Sequence, residues 1–280
     1  MHKHTFLGET GSTEEAACSP CSSFSVFDAS VVRYPSSYTY PTTYETRSLT
    51  AVAGYIDGTS MFTTLDISSF ISSGSNYAGG VLRPNGLIYF IPYNADNVGI
   101  LNPSSSSFST LDISSFISSD GKYAGGVLGP NGLIYFIPSS ADNVGILNPS
   151  SSSFSTLDIS SSISSSYNKY WGGVLGPNGL IYFIPFNADH IGILNPSSSS
   201  FSTLDISSFI SSNYKYVGGV LGPNGLIYFI PWNANHIGIL NPSSSSFSTL
   251  DISSSISSNS KYYGGVLGPN GTSSLPLLTT

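Results

Sequence analysis

Hydrophobic and polar positions alternate along this chain in a pattern that repeats every 46 or 47 residues. One copy starts at Gly125–Gly126 and continues through the apolar stretch Leu133–Ile137, a serine run after Asn148–Pro149, and the alternating segment Phe154–Ile159. Three near-copies and one truncated copy start at Gly79, Gly172, Gly218 and Gly264. A period of this length predicts a repeat fold in which each unit is one small sheet.

Each repeat predicts four short β-strands. In the first full copy they are centred on Val81–Leu82, Leu87–Ile91, Val98–Leu101 and Phe108–Ile113. The unbroken apolar second strand is typical of a strand buried on both faces, whereas the fourth alternates. Asn85–Gly86 predicts a two-residue hairpin, because both of its residues favour positive φ. Gly, Pro and Asn recur too often for a helix.

Four antiparallel strands in about 46 residues indicate a β-propeller blade, since propeller repeats contain about 40–50 residues. The first-strand and fourth-strand motifs each occur five times, and the two middle motifs each occur four times. We therefore predict an all-β propeller of about five four-stranded blades, the last completed by both termini through Ala51–Tyr55 and Leu275–Leu278. Closing the ring leaves no open sheet edge. A fragment of a larger ring and a β-solenoid are the alternatives.

The repeat domain is predicted to cover residues 51–280, after an extended or disordered extension over 1–50. Within that extension, Val31–Tyr34 is a candidate short strand. Cys18 and Cys21 indicate two thiols or a local disulfide, with a zinc site completed by His2 and His4 as the alternative. The start lacks the apolar region of a secretory signal, and no apolar run approaches the roughly 18 residues of a membrane span. The compartment stays open.

Composition narrows the range of partners. Only 8% of the 280 residues are charged and the formal net charge is −7, whereas soluble domains average about 25% charged residues. Residues 51–280 contain ten acidic and five basic residues. A nucleic-acid partner requires a basic surface, so we expect none.

The blade motifs resemble those of a known group of propellers. The run Gly-Val-Leu-Gly-Pro-Asn-Gly-Leu-Ile-Tyr-Phe, followed by Val/Ile-Gly-Ile-Leu-Asn-Pro, is similar to the blades of streptogramin-lyase-like and NHL-type propellers over about residues 79–271. This resemblance implies the scaffold. The lyases use a metal-assisted His and Glu pair, but here Ile-Pro follows Tyr-Phe and no Glu occurs after Glu45. Their catalytic residues are therefore not matched.

Differences between the near-identical repeats point to candidate binding residues. They cluster after the second strand and before the Gly-Gly pair, two places that antiparallel strands bring to one face, here called the loop face. Aromatic rings there suit a sugar or peptide partner. Lysines also recur beside tyrosines before four of the five Gly-Gly pairs. The predicted ligand-binding residues are Tyr93, Trp171, Phe186, Trp232, Tyr263, Lys122, Lys169, Lys215 and Lys261.

Three function hypotheses follow. The first is a non-enzymatic recognition module for a glycan or protein partner, with several weak sites gaining avidity on one rigid ring, and without a cofactor. The second is a lyase- or hydrolase-like enzyme with a metal site at Asp189, His190 and His236, although turn histidines are more often exposed. The third is a structural repeat protein. An aspartate that recurs on every fourth strand is interpreted as structural.

Overall fold

The computed structural model describes residues 64–71, 74–163 and 167–268, together with the backbone of five two-residue strands outside those ranges. The chain divides into two compact units, Met1–Thr64 and Leu65–Thr280. In the first unit, β1 pairs with β2 and β3 pairs with β4, both antiparallel. Their bounds are β1 Phe6–Leu7, β2 Thr13–Glu14, β3 Phe24–Ser25 and β4 Ser48–Leu49.

Several predictions from the sequence lie outside the described residues. These are the strand at Val31–Tyr34, the cysteine pair Cys18 and Cys21, and the terminal segments Ala51–Tyr55 and Leu275–Leu278. The domain boundary at residue 50 also falls there and stays a prediction.

The second unit contains four sheets of four antiparallel strands, one for each full repeat. Blade 1 consists of β5 (Tyr77–Leu82), β6 (Ile88–Pro92), β7 (Asn97–Asn102) and β8 (Ser107–Asp112). Blade 2 consists of β9 (Tyr123–Leu128), β10 (Ile134–Pro138), β11 (Asn143–Asn148) and β12 (Ser153–Asp158). Blade 3 consists of β13 (Tyr170–Leu175), β14 (Ile181–Pro185), β15 (His190–Asn195) and β16 (Ser200–Asp205). Blade 4 consists of β17 (Tyr216–Leu221), β18 (Ile227–Pro231), β19 (His236–Asn241) and β20 (Ser246–Asp251).

A fifth repeat begins with the same hairpin. Strand β21 (Val266–Leu267) pairs antiparallel with β22 (Ser273–Ser274), at the positions of the first two strands of a blade. At the other end of the unit, Thr64–Ile71 contains no strand and consists of coil and a turn. The described residues thus contain four complete blades and the first hairpin of a further one.

The blades pack through their first strands. Strand β5 contacts β9, β9 contacts β13, and β13 contacts β17, so the first strands are innermost and the fourth strands outermost. Within each sheet the strands follow in chain order, and the described part of the chain contains no helix. This arrangement confirms the predicted all-β propeller of four-stranded blades.

The hydrophobic core lies between successive blades rather than within one sheet. Each of its three clusters combines residues of two neighbouring repeats. Strands β10 and β14 are buried along their whole length, which explains why their sequence is apolar without alternation. Ile137, for example, packs against Gly173 of the next blade, where a Cβ atom would lie 2.7 Å from the Cδ1 atom of Ile137.

A glycine on the third strand leaves room for three aromatic rings in each blade. In blade 2, a Cβ atom at Gly145 would lie 2.9 Å from a ring carbon of Phe154 and 3.0 Å from ring carbons of Phe136 and Tyr123. The ring centroids of Tyr123 and Phe136 are 5.5 Å apart, and those of Phe136 and Phe154 are 5.6 Å apart. Such edge-on and tilted contacts stabilise aromatic pairs.

The first hairpin of each blade differs from the predicted two-residue turn. The Gly86 N–H donates to the Arg83 carbonyl (2.9 Å), and the Arg83 N–H donates to the Leu87 carbonyl (3.0 Å), so the connection spans Arg83–Leu87. Gly86 has a φ of +83°, whereas Asn85 is not in the positive-φ region. The prediction of two positive-φ residues was wrong, because Pro84 favours a type I turn that glycine then closes.

The aspartate that ends each fourth strand caps the following turn. In blade 1, Asp112 Oδ1 accepts the backbone N–H of Ser114 at 2.8 Å. Hydrogen bonds of this kind lower the pKa of the five equivalent carboxyls, Asp66, Asp112, Asp158, Asp205 and Asp251. These residues are structural, as their recurrence led us to expect.

Candidate functional site

A zigzag of backbone hydrogen bonds links the blades on the loop face. The N–H of Lys122, just before blade 2, donates to the Tyr93 carbonyl of blade 1 (2.8 Å), and the Lys122 carbonyl accepts the N–H of Ser139 in its own blade (2.9 Å). The first of these bonds recurs at Lys169, Lys215 and Lys261, and the second recurs at Lys169 and Lys215. This network fixes the residues that follow the second strands at equivalent positions of one face: Tyr93, Ser139, Phe186 and Trp232.

The four recurring lysines are buried. Their exposed fractions are 0–1%. Lys169 Nζ donates to the Ser140 carbonyl (3.0 Å) and forms an ion pair with Asp142 Oδ1 at 3.0 Å, both in the preceding blade. Lys122 and Lys215 bind the preceding blade in the same manner. The side chains of Lys122, Lys169 and Lys215 fasten neighbouring blades together, and their ammonium groups are paired with carboxylates of this chain.

The predicted aromatic residues form two clusters on the loop face. In the first, the ring of Tyr93 lies 6.0 Å from that of Trp171, Trp171 lies 5.4 Å from Phe186, and Phe186 lies 5.2 Å from Tyr214. In the second, the rings of Trp232 and Tyr263 are 5.7 Å apart at an interplanar angle of 74°. We call these the first and second aromatic clusters.

The first aromatic cluster bridges blades 1 and 3 across blade 2. Tyr93 belongs to blade 1 and Trp171 to blade 3, and their rings meet because the two equivalent positions of blade 2 carry Ala124 and Ser139, which are small and fully buried. Tyr93 and Trp171 are half-buried. Phe186 is 8% exposed and packs against the rings of Trp171 and Tyr214.

A bulge at the start of β13 places Trp171 on this face. Tyr170 pairs with Pro185 and Gly173 with Phe183, so Trp171 and Gly172 together oppose one residue. Gly172 has a φ of +84°, which glycine adopts without the cost borne by other residues. A Cβ atom there would lie 3.1 Å from the Cα atom of Gly218 in the next inner strand. The bulge therefore requires glycine both for its conformation and for the close contact between blades.

Tyr214 is the member of the first aromatic cluster that the sequence analysis missed. It is 46% exposed, and its φ is +57°, a conformation unusual for a bulky side chain. The equivalent positions in blades 2 and 3 carry Gly121 and Asn168, residues that tolerate this region. The position varies between repeats as the predicted aromatic positions do, so the same criterion would have found it.

The two histidines are partners of buried tyrosines. His236 Nδ1 lies 2.8 Å from the Tyr216 hydroxyl, at the place where Asn143 accepts the Tyr123 hydroxyl in blade 2 at 2.6 Å. In blade 3, the Tyr170 hydroxyl and His190 Nε2 are buried without a hydrogen-bond partner among the described residues. Burial raises the pKa of all three tyrosine hydroxyls.

The proposed metal ligands do not converge. Asp189 Oδ1 forms an ion pair with Lys215 at 3.0 Å, and His236 contacts Tyr216. Within the described ranges, no three His, Cys, Asp or Glu residues come together in a group that could hold a metal ion. The alternative metal site at Asp189, His190 and His236 is therefore not formed.

The histidines make stability dependent on pH. Burial lowers the pKa of both His190 and His236, against the raising effects of Asp189 and Asp205 on the first and of Asp251 on the second. Between the folded pKa values and 6.5, the unfolded chain binds more protons, so the free energy of unfolding falls as the pH decreases through this range. Urea titrations from pH 7.5 to 5 measure this slope.

The matched variant for this prediction is the double substitution His190→Asn and His236→Asn, which installs the residue found in blades 1 and 2. We expect a flatter profile between pH 7.5 and 5. The lowered pKa values of the turn carboxyls affect stability only below about pH 5, outside the range of this titration. Equal slopes for both proteins would contradict the assignment.

No protein-family model matches this chain, and no curated protein matches it. Solved structures do. A streptogramin B lyase structure superposes with a TM-score of 0.60 and 19% identity, covering 74% of this chain and 64% of that one. Virginiamycin B lyase from Staphylococcus aureus superposes with a TM-score of 0.60 and 16% identity, covering 73% of this chain and 64% of the lyase. A catalytically inactive variant of that lyase with quinupristin superposes with a TM-score of 0.57 and 19% identity, covering 70% of this chain and 61% of the variant.

The likeness is one of fold. Because the sequence identities are below 20%, the superpositions show a shared β-propeller scaffold and say nothing about shared chemistry. The chain spans slightly less than two thirds of the length of these lyases. The predicted resemblance to streptogramin-lyase-like propellers is confirmed at this level. In the described part of the chain, no helix is long and apolar enough to cross a membrane.

Proposed function

We propose that this chain is a recognition module that binds a glycan on its loop face. The observation that carries the proposal is the first aromatic cluster, in which four rings from three repeats contact one another in series. A sugar stacks the apolar face of its ring on such a surface, and neighbouring polar groups then fix its hydroxyls.

The polar groups beside the rings suit hydroxyl recognition. Asp96, Asp142 and Asp189 lie in the turns between second and third strands with about half of each side chain exposed. Their carboxylates accept one hydrogen bond from a buried lysine and retain free lone pairs toward solvent. Lys122, Lys169 and Lys215 are themselves buried, so these three turns present carboxylates without an opposing exposed ammonium.

The strained backbone at Tyr214 supports a binding role. A tyrosine held at a φ of +57° costs stability that glycine or asparagine would avoid at the same position. Strain of this kind concentrates at functional sites, where a side chain is required for something other than folding. Here the strain places an exposed ring against Phe186, at the edge of the first aromatic cluster.

Lyase chemistry receives less support. The neighbouring structure with quinupristin is a lyase, and binding of that compound is a property of that protein. In this chain no Glu occurs after Glu45, and the described histidines face buried tyrosines. A scaffold of lyase type without the His and Glu pair fits binding better than catalysis.

A glycan array tests the proposal. We expect the purified protein to bind a defined set of glycans, and a Trp171→Ala, Trp232→Ala double variant to lose that binding while remaining folded. Absence of binding by the folded wild-type protein would contradict the glycan assignment and favour a protein partner or a structural role.

A further inference from the structure

One of the four buried lysines lacks the carboxylate that the other three bind. Lys122, Lys169 and Lys215 form ion pairs of 3.3, 3.0 and 3.0 Å with an aspartate in the turn of the preceding blade. At the equivalent turn of blade 4 the residue is Asn235, and no ion pair of Lys261 exists among the described residues. The three lysines that bind an aspartate thus serve as internal controls for Lys261.

Lys261 keeps the two hydrogen bonds to the preceding blade that the other lysines form. Its N–H donates to the Trp232 carbonyl at 2.8 Å, and its Nζ donates to the Asn233 carbonyl at 3.0 Å. Its exposed fraction is 1%. Burial of an ammonium group is costly unless it is paired, and one carbonyl satisfies only one of its three donors. Burial also lowers the pKa of this amine.

The turn position that carries the aspartate in blades 1–3 lies at the surface. In the other blades the aspartate that reaches the ammonium is itself exposed, with 48–56% of its side chain accessible. The carboxylate therefore approaches the buried amine from the surface, and Asn235, which occupies the same turn position, is also exposed. An anion from outside the chain can take the same approach.

The second aromatic cluster lies next to this position. The Trp232 carbonyl accepts the backbone N–H of Lys261, Tyr263 follows Lys261 by two residues, and the rings of Trp232 and Tyr263 contact each other. Tyr263 is 57% exposed. Because Asn235 follows Trp232 by only three residues, the ring of Trp232 and the Asn235 side chain belong to the same loop of blade 4.

We propose that Lys261, Trp232 and Tyr263 form a subsite for an acidic sugar of the uronate class. The carboxylate of the sugar takes the place that Asp96, Asp142 and Asp189 fill in the other blades, and the two rings hold the sugar ring. A charge-assisted hydrogen bond to the ammonium gives the preference for acid over neutral sugar. This inference rests on the glycan-binding function proposed above and names its ligand class.

Calorimetric titration with trigalacturonate and its fully methyl-esterified form tests this inference. The two probes share the sugar ring and differ in the charge. We expect the wild-type protein to bind the acid at least about tenfold more tightly than the ester, the factor that one well-placed charged hydrogen bond supplies. The Asn235→Asp variant should bind the acid and the ester equally, because its own carboxylate forms the ion pair with Lys261. Trp232→Ala should weaken both.

The outcomes separate the two proposals. Equal binding of acid and ester by the wild-type protein overturns the carboxylate subsite and leaves glycan binding intact. An acid preference that Asn235→Asp does not remove places the charge recognition elsewhere and also overturns the inference. Failure of both probes, with binding of neutral glycans on the array, rejects the uronate class alone. The melting temperature adds a ligand-free check, since Asn235→Asp should raise it and Asp189→Asn should lower it.

Discussion

Replacing Gly172 by alanine is expected to lower the free energy of unfolding by about 2–5 kcal/mol. A side chain at its φ of +84° costs about 1–2 kcal/mol relative to glycine. The new methyl group would also lie 3.1 Å from the Cα atom of Gly218, and forcing an extra group into a packed contact costs about 1–3 kcal/mol. Urea denaturation followed by tryptophan fluorescence measures the change.

Gly218 supplies the matched control for this prediction. It occupies the same bulge position in the next blade with a φ of +73°, but no atom lies within 4 Å of a Cβ built there. Gly218→Ala therefore carries the conformational cost alone, about 1–2 kcal/mol. If both variants lost the same stability, the contact between the inner strands of blades 3 and 4 would contribute nothing and our reading of the blade packing would be wrong.

The fold could be predicted because each blade repeats the same local rules. The buried second strand is apolar throughout, the outer strand alternates, and proline, glycine and asparagine separate them. The bounds observed for β6, β7 and β8 lie within one or two residues of the predicted segments. The first strand is longer than predicted, because it starts at Tyr77 and passes through a glycine bulge that no hydrophobic pattern reveals.

The lysines show where sequence reasoning about the site was incomplete. A charged residue is usually exposed, so a lysine on a candidate binding face was interpreted as a ligand contact. Lys122, Lys169, Lys215 and Lys261 nevertheless recur in four successive repeats, and recurrence indicates a requirement of the fold. The informative signal was the turn aspartate that precedes each lysine by 26 or 27 residues and that becomes Asn235 in blade 4. Such a pairing across blades becomes visible only in the folded ring.

The aromatic residues differ from the lysines, because they do not recur at equivalent positions. They vary between repeats, which indicated that the fold does not require them, and the structure gathers them into two clusters. Sequence alone could not show that Tyr93 meets Trp171 across a whole blade, because that contact depends on the small Ala124 and Ser139 between them. Shape complementarity among three repeats is a tertiary property.

The second large effect that we expect is on ligand binding. Trp171→Ala and Trp232→Ala should each weaken binding of an array-positive oligosaccharide by about tenfold or more, since a stacked aromatic anchor contributes about 1.5–3 kcal/mol. The two tryptophans belong to different clusters with different ring partners. Losses at sites without shared partners add, so the double variant should bind at least about 100-fold more weakly. Calorimetric titration of the four proteins measures both steps.

Two controls keep this prediction specific. Leu82→Ser removes an apolar side chain that is 60% exposed beside the first hairpin of blade 1, at the end of the sheet opposite the loop face, and should leave affinity unchanged. Tyr214→Asn installs the residue type of the equivalent position in blade 3, which accepts the positive φ, and should weaken binding without loss of folding. If the double variant binds no more weakly than either single variant, one ligand contacts only one cluster. The loop face would then hold a single compact site rather than an extended one.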